Sequence, residues 1–244
     1  MASKYRLFSA DSHLEISPER WTQRVAEKYR DRAPRLVKLP NGGDGIVIEG
    51  RPLYVVGLAI AGKPYERHEL SGVNYQGSEG AGTPEQRLKE QDQDGVDGEI
   101  LYTSASNLSF WRGIKNDDAY LATVHAYNTF LAEEYCVANR DRLVALGAIP
   151  TDSVDAAVKE MEYCAKAGLK GMMLNTFPSG KSYPTAEDDR FYATALDLNM
   201  PLSVHVAMGL PDGPLFKYDK DPGEVAFGGD PIRVLTRFGG NSGL

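Results

Sequence analysis

Three side chains in this sequence are placed so that they could share one metal ion: Asp11, His13 and His205. Asp11 and His13 follow a short strand-like run at residues 5–10 and are two residues apart, so both side chains should point to one face. His205 lies between two valines near the end of a later predicted strand and should face away from them. Carboxylate and imidazole ligands suit Zn²⁺, and also Mn²⁺ or Fe²⁺. We predict one divalent metal, with zinc as the first choice.

Each polar candidate in the sequence also has a simpler structural explanation. A single Asp-x-His pair occurs often by chance, and a lone strand histidine is usually a satisfied core residue. His125 falls in the middle of a predicted helix and His68 in an irregular stretch, so we expect both to be structural or solvated. Glu15 could support the metal ligands, but its residue type is more typical of a solvated loop acid.

Aromatic residues near the same rim could contact a substrate. Phe110 and Trp111 follow the second predicted strand and could stack on a ring, although a purely structural pair is the alternative. An earlier segment offers further aromatic and basic candidates: Trp21, Arg51, Tyr54, Tyr65 and Arg67. A segment that contributes only to assembly is an equal alternative for that group.

Strand-like and helix-like segments alternate along most of the chain. The predicted strands cover residues 5–10, 99–103, 143–149, 171–174 and 202–206, and the predicted helices cover residues 84–93, 117–138, 153–167 and 188–198. Helical connections favour parallel pairing of the strands. An open nucleotide-binding sheet would carry a glycine-rich turn after its first strand, and that turn is absent here. We therefore predict a TIM-type (β/α)₈ barrel.

The domain prediction is one barrel domain over residues 1–244 that ends after about five βα units, with an amphipathic stretch at residues 231–238. Residues 18–82 look like a lid-like insertion after the first strand, with a helix near residues 19–29 and a hairpin over residues 46–56. A five-stranded piece leaves two open sheet edges, so we expect a homo-oligomer.

Composition excludes several classes of partner. The net charge is −7 with both signs interspersed, so no basic stripe is available for nucleic acid. No apolar stretch reaches the ~18 residues that would cross a membrane, and we predict a cytoplasmic protein with a small-molecule substrate. Both cysteines, Cys136 and Cys164, fall in predicted helices and are expected to be buried thiols.

Several phrases of the sequence, taken in order, resemble the amidohydrolase-related hydrolases and decarboxylases. They are ADSHLEISPERW, KYRDRAPR, DQDGVDGEILYTS, AYNTFLAEEY, LGAIP, GLKGMML and MPLSVHV. The group includes aminocarboxymuconate semialdehyde decarboxylase and γ-resorcylate decarboxylase. Their order and spacing extend the resemblance over essentially the whole chain.

The resemblance implies a metal-dependent hydrolase of the amidohydrolase superfamily or a nonoxidative decarboxylase (a lyase) acting on a small, commonly aromatic, carboxylic acid. It places the first-strand acid-x-His pair on Asp11 and His13 and the fifth-strand histidine on His205. It also implies an acid–base residue and a last aspartate that would lie past Leu244, so no catalytic residue is assigned. Leu174-Asn175 ends the fourth strand without a lysine, which favours a single metal. The alternative function is a catalytically silent barrel fragment or a binding protein.

Overall fold

The computed structural model describes residues 7–49, 51–54, 66, 74–75, 82–103, 111–181 and 184–204. Its strands are β1 (Phe8–Leu14), β2 (Arg35–Lys38), β3 (Asp44–Ile48), β4 (Arg51–Tyr54), β5 (Gly98–Thr103), β6 (Leu143–Ala145), β7 (Gly147–Ala148), β8 (Met172–Leu174) and β9 (Leu202–Val204). Its α-helices are α1 (Pro84–Asp94), α2 (Asp117–Phe130), α3 (Val154–Ala167) and α4 (Asp189–Asp197). The predicted segment at residues 231–238 lies outside the described residues.

Two three-stranded parallel sheets contain the parallel strands in the order in which these occur along the chain. One has the order β1-β5-β6 and the other β7-β8-β9. β6 and β7 are halves of one extended run that divides at Leu146, whose N–H donates to the carbonyl of Leu101 in β5. The next N–H, of Gly147, donates to the carbonyl of Gly171 beside β8. The two sheets therefore form one series of five parallel strand positions, consistent with part of a barrel.

A hydrogen bond between distant strands indicates that this series is curved. The Tyr102 hydroxyl in β5 lies 2.6 Å from Ser203 Oγ in β9. These strands are three steps apart, which in a flat sheet is about 14 Å at ~4.8 Å per step, with side chains standing parallel to each other. The sheet must curve towards Tyr102 and Ser203 for the two hydroxyls to meet.

The helices between the strands begin and end on local signals. The Thr83 side chain accepts the N–H of Gln86 ahead of Pro84, and Gly95 ends α1 with a left-handed φ of 71°. The Ser153 side chain caps α3 in the same way, and Gly168 ends it at φ 92°. The predicted starts and stops of these two helices are confirmed to within a residue.

The first strand differs from its prediction. The sequence pattern placed a strand at residues 5–10, whereas β1 runs over Phe8–Leu14, so Asp11 and His13 lie inside the strand. Pairing with β5 supplies backbone partners that the short apolar run did not reveal. The pairing shifts register between Ser9 and Ser12, so Asp11 lies within a β-bulge.

The described part of the 18–82 segment forms short turns and a small antiparallel sheet. The predicted helix at residues 19–29 is wrong, because Pro18–Arg20, Thr22–Arg24 and Glu27–Tyr29 form separate 3₁₀ turns. The predicted hairpin is present as β3 and β4, and β2 joins them through a turn in which Gly42 adopts φ 82°. Its role as a lid stays a prediction.

The helix predicted at residues 117–138 ends earlier as regular α-helix. After α2 the chain makes a π-helical turn at Leu131–Tyr135 and a 3₁₀ turn at Cys136–Ala138. Glu134 in the π-helical turn pairs with Arg24 at 2.6 Å and with Arg20 at 3.5 Å. Both guanidinium groups also lie over the Phe130 ring. The π-helical turn and Phe130 therefore hold the 18–82 segment against the rest of the structure.

The core lies between the parallel strands and the helices that cover them. Cys136 and Cys164 are both free thiols buried in this core, which confirms their expected role. Across the ranges described, none of the helices is both long and apolar enough to span a membrane.

Candidate functional site

The two candidate ligands of β1 lie side by side. His13 Nε2 is 3.9 Å from Asp11 Oδ1. The Asp11 side chain is 68% exposed and that of His13 32%, so both can be reached by an ion from solvent. The structure therefore brings together the acid-x-His pair that the sequence singled out.

The separation of these two groups fits a shared metal ion. Zinc bonds to imidazole nitrogen and to carboxylate oxygen are each about 2.1 Å, so two ligands of one ion can be at most about 4.2 Å apart. The 3.9 Å distance lies within that limit. Among the residues described there is no cluster of three or more His, Cys, Asp or Glu side chains suited to a metal. The expected third ligand, His205, lies outside the described residues.

Tyr102 and Ser203 extend the site from β1 across to β9. His13 is the register partner of Tyr102, and their ring centroids are 6.4 Å apart. Tyr102 in turn is bonded to Ser203, two residues before His205. Sequence reasoning missed both hydroxyls. The alternation of Ile100 and Tyr102 along their strand was the signal that could have placed Tyr102 on the inner face.

Glu15 corrects an expectation, because it is not a solvated loop acid. The residue is only 9% exposed, and its Oε2 has no hydrogen-bond partner among the described residues. Burial raises the pKa of Glu15 to about 8. Burial raises the pKa of Tyr75 as well, and the nearby charges of Glu15 and Asp44 raise it further. A largely neutral acid thus lies two residues beyond His13, under the 18–82 segment.

The aromatic candidates are buried where the structure describes them. Trp111 is 3% exposed and packs edge-on against Trp21 and Tyr127, with ring centroids 5.3 and 4.9 Å away. Trp21 is 2% exposed. This geometry is that of the structural alternative, in which the rings hold the segment against α2, and a role in substrate binding stays a prediction. Phe110, Tyr65 and Arg67 lie outside the described residues, and the side chains of Arg51 and Tyr54 are not described.

His125 belongs to a different cluster. Its Nδ1 lies 3.0 Å from Glu160 Oε2 on α3, and its ring packs on Tyr163 at a centroid distance of 4.3 Å. The hydrogen bond that the imidazole donates to Glu160 is the main cause of a raised pKa at His125. This is the structural role expected from its position in a helix. His68 lies outside the described residues.

Solved structures share this fold at low sequence identity. An amidohydrolase from Mycobacterium avium subsp. paratuberculosis is 17% identical with a TM-score of 0.63, over 84% of this chain and 59% of that one. A 5-carboxyvanillate decarboxylase from Novosphingobium aromaticivorans, solved with bound manganese and 3-methoxy-4-hydroxy-5-nitrobenzoic acid, is 16% identical with a TM-score of 0.53, over 92% of this chain and 56% of that one. The chain thus spans a little over half the length of these two proteins.

The sequence itself matches a family model over most of its length. The model is that of the amidohydrolases, and the match covers residues 11–237, beginning at the acid of the acid-x-His pair. The order of the parallel strands agrees with this match, and the chain belongs to the amidohydrolase family.

Proposed function

We propose that this chain binds one divalent metal ion through Asp11, His13 and His205 and serves the nonoxidative decarboxylation of a small aromatic carboxylic acid. Hydrolysis of a related substrate is the alternative reaction. The observation that carries the proposal is the pairing of Asp11 and His13 at 3.9 Å on the first of the parallel strands. Family membership supports it independently.

The described end of β9 supports the choice of His205. Ser203 meets Tyr102, the neighbour of His13 across β1 and β5. Side chains alternate along a strand, so the sequence predicts that His205 shares the face of Ser203. We infer that the five strand positions belong to a (β/α)₈ barrel, in which functional groups collect at the carboxyl ends of the strands.

The residues of the chain have separable roles in this proposal. Asp11 and His13 supply one oxygen and one nitrogen ligand. When bound, the ion would supply Lewis-acid charge that holds a substrate carboxylate and an adjacent hydroxyl. The bonded hydroxyls of Tyr102 and Ser203 would line the inner side of the site.

Decarboxylation is the favoured reaction because 5-carboxyvanillate decarboxylase, a similar solved structure, acts on an aromatic carboxylic acid. Manganese is the first metal to test because that structure holds it. Zinc stays a prediction from ligand type alone.

Metal binding is the first test. Purified full-length chain should take up about one equivalent of Mn²⁺, measured by elemental analysis and by calorimetric titration. His13→Ala and His205→Ala should each lower the affinity for Mn²⁺ by at least about tenfold. His125→Ala is the matched control, because that imidazole bonds Glu160 on the helical side of the sheet. Equal losses in all three variants would contradict the ligand assignment.

Turnover is the second test. The manganese-loaded chain is incubated with carboxylated phenols, and release of CO₂ is measured together with the product phenol. We expect release that His13→Ala abolishes and His125→Ala retains. Metal uptake without turnover of any acid or ester would favour the alternative, a catalytically silent barrel or binding protein.

A further inference from the structure

The β-bulge in β1 determines where the two candidate ligands point. Ser9 pairs with Glu99 and Ser12 with Leu101, so three residue steps of β1 match two steps of β5. A bulge of this kind bends the strand and redirects side chains. Because a slip of one residue moves every side chain to the other face, the directions of Asp11 and His13 depend on where the extra residue lies.

The serine between the two ligands is tied down on the opposite face. The Ser12 hydroxyl bonds Glu99 Oε1 at 2.8 Å and Ser9 Oγ at 2.7 Å. In a regular strand, residues 9 and 12 would lie on opposite faces. The bulge therefore allows their contact, and the hydrogen bond joins the residue before the bulge to the residue after it.

Glu99 is itself held rigidly. Arg87 of α1 donates through Nε and Nη2 to its two oxygens at 2.7 and 2.8 Å, and Gln91 donates at 2.6 Å. Burial alone would raise the pKa of Glu99, but the hydrogen bonds from Arg87, Gln91 and Ser12 outweigh it and the pKa is lowered. The carboxylate is ionised and fixed between β5 and α1.

Stability is a weak explanation for this arrangement. Arg87 and Glu99 are 9% and 8% exposed, on the face of β5 that packs against a helix. Replacing a buried ion pair by packed apolar residues is often neutral or stabilising, so a gain in stability does not by itself account for this pair.

We propose that Glu99 is a positioning residue for the candidate metal site. By binding Ser12 it holds the β-bulge in place, and the bulge sets the directions of the Asp11 and His13 side chains. This inference rests on the proposed function for its metal, and on β1 alone for its geometry. Glu99 acts through Ser12 and the strand backbone.

Variants of Ser12 test the link without leaving Arg87 unpaired. Ser12→Ala removes the bond to Glu99, and Ser12→Thr keeps a hydroxyl. Ser153→Ala is the matched control, because that serine likewise makes two side-chain hydrogen bonds, to the N–H of Ala156 on α3 and to Asp152. We expect Ser12→Ala to bind Mn²⁺ about tenfold more weakly than the unaltered chain, the lower end of effects at groups that support metal ligands. Ser12→Thr and Ser153→Ala should bind Mn²⁺ as the unaltered chain does.

A second measurement needs no metal. Amide hydrogen exchange at residues 10–13 should be faster in metal-free Ser12→Ala than in Ser12→Thr or Ser153→Ala. Unchanged exchange at these residues in Ser12→Ala would overturn the positioning role. Faster exchange with unchanged Mn²⁺ affinity would overturn its connection to the metal. Faster exchange in a protein that takes up no Mn²⁺ at all would support the role of Ser12 in holding the β-bulge and would reject the proposed function.

Discussion

Two buried carboxylates, Glu99 and Glu160, are each surrounded by donors from a neighbouring element. Glu160 accepts from Asn128 at 2.8 Å and lies 3.0 Å from the His125 ring. A buried carboxylate is costly unless it is bonded in this way. Both networks therefore fix the angle at which a helix lies on its neighbour. They differ in their partners, because Glu160 faces the imidazole of His125 and Glu99 faces the guanidinium of Arg87.

His125 should make stability depend on pH. Its pKa is raised, first by the bond to Glu160 and further by the charges of Glu160 and Glu133. The stabilisation is therefore complete below the unfolded pKa of about 6.5 and is lost as pH rises through the folded value. We expect His125→Gln to cost more unfolding free energy at about pH 5.5 than at about pH 9, by up to about 1 kcal/mol, since the imidazole is half exposed. Urea unfolding at both values measures the difference.

Glu160→Gln provides the control for this prediction. It removes the charge that faces His125, so the pH-dependent part should vanish while a pH-independent loss remains. A cost of His125→Gln that is equal at both pH values would contradict the assigned cause.

At the level of the elements, Asn128 on α2 joins helix and strand. Its Nδ2 donates to the carbonyl of Ala148 at 2.9 Å, and its Oδ1 accepts the N–H of the same residue at 2.7 Å. Ala148 is the last residue of β7, where the strand pairing ends. The amide side chain thus continues the backbone bonding of the strand from a helix.

Asn128→Ala should be strongly destabilising. It leaves the N–H and the carbonyl of Ala148 buried without these partners, and each such group costs about 1–3 kcal/mol. We expect a loss of about 3 kcal/mol in the free energy of unfolding, measured by denaturant titration. Thr129→Ala is the neighbouring control, which removes only a partly buried bond to Tyr163 and should cost less than about 1 kcal/mol. Comparable losses in the two variants would disprove the special role of Asn128.

Elements with local signals were predictable and those set by distant contacts were not. α1 and α3 were placed correctly because Thr83, Ser153, Gly95 and Gly168 define their ends within a few residues. The 19–29 segment was misassigned because its turns are fixed by packing of Trp21 on Trp111 and Tyr127, both remote in sequence.

For the whole molecule, the contact between Tyr102 and Ser203 indicates that the parallel strands are curved. Among the described strands, each of the five positions otherwise pairs with the next parallel strand of the series. The contact joins the second and fifth positions of the series, and Tyr102 is also the register partner of His13. The curvature therefore brings the neighbour of His13 to β9.

A double-mutant cycle tests whether Tyr102 and Ser203 are in contact. Tyr102→Phe and Ser203→Ala, singly and together, should give a coupling energy of about 1 kcal/mol, typical of a hydrogen bond between groups in contact. Residues on well-separated strands would give additive effects. Additivity in denaturant titrations would therefore contradict the curved arrangement.

The same distinction of scale applies to the candidate site. Asp11 and His13 were identified from residue type and a spacing of two. The burial of Glu15 and the link from Ser12 to Glu99 could not be, because they depend on residues more than fifty positions away, such as Tyr75 and Glu99. The candidate ligands can therefore be found from a few neighbouring residues. The groups that surround them are determined by how distant strands pair.

The division of one extended run at Leu146 has a consequence for how the chain acquires its structure. β5 pairs with β1 across the 18–82 segment, whereas β6, β8 and β9 each bond the parallel strand that comes directly before them in the sequence. Each βα unit after β5 can therefore dock as soon as it is synthesised. The bond at Tyr102 has to wait longer, since its partner at position 203 emerges about a hundred residues later. We therefore expect assembly to run from the amino-terminal end, with the inner hydroxyl of Tyr102 left to solvent until the last described strand arrives.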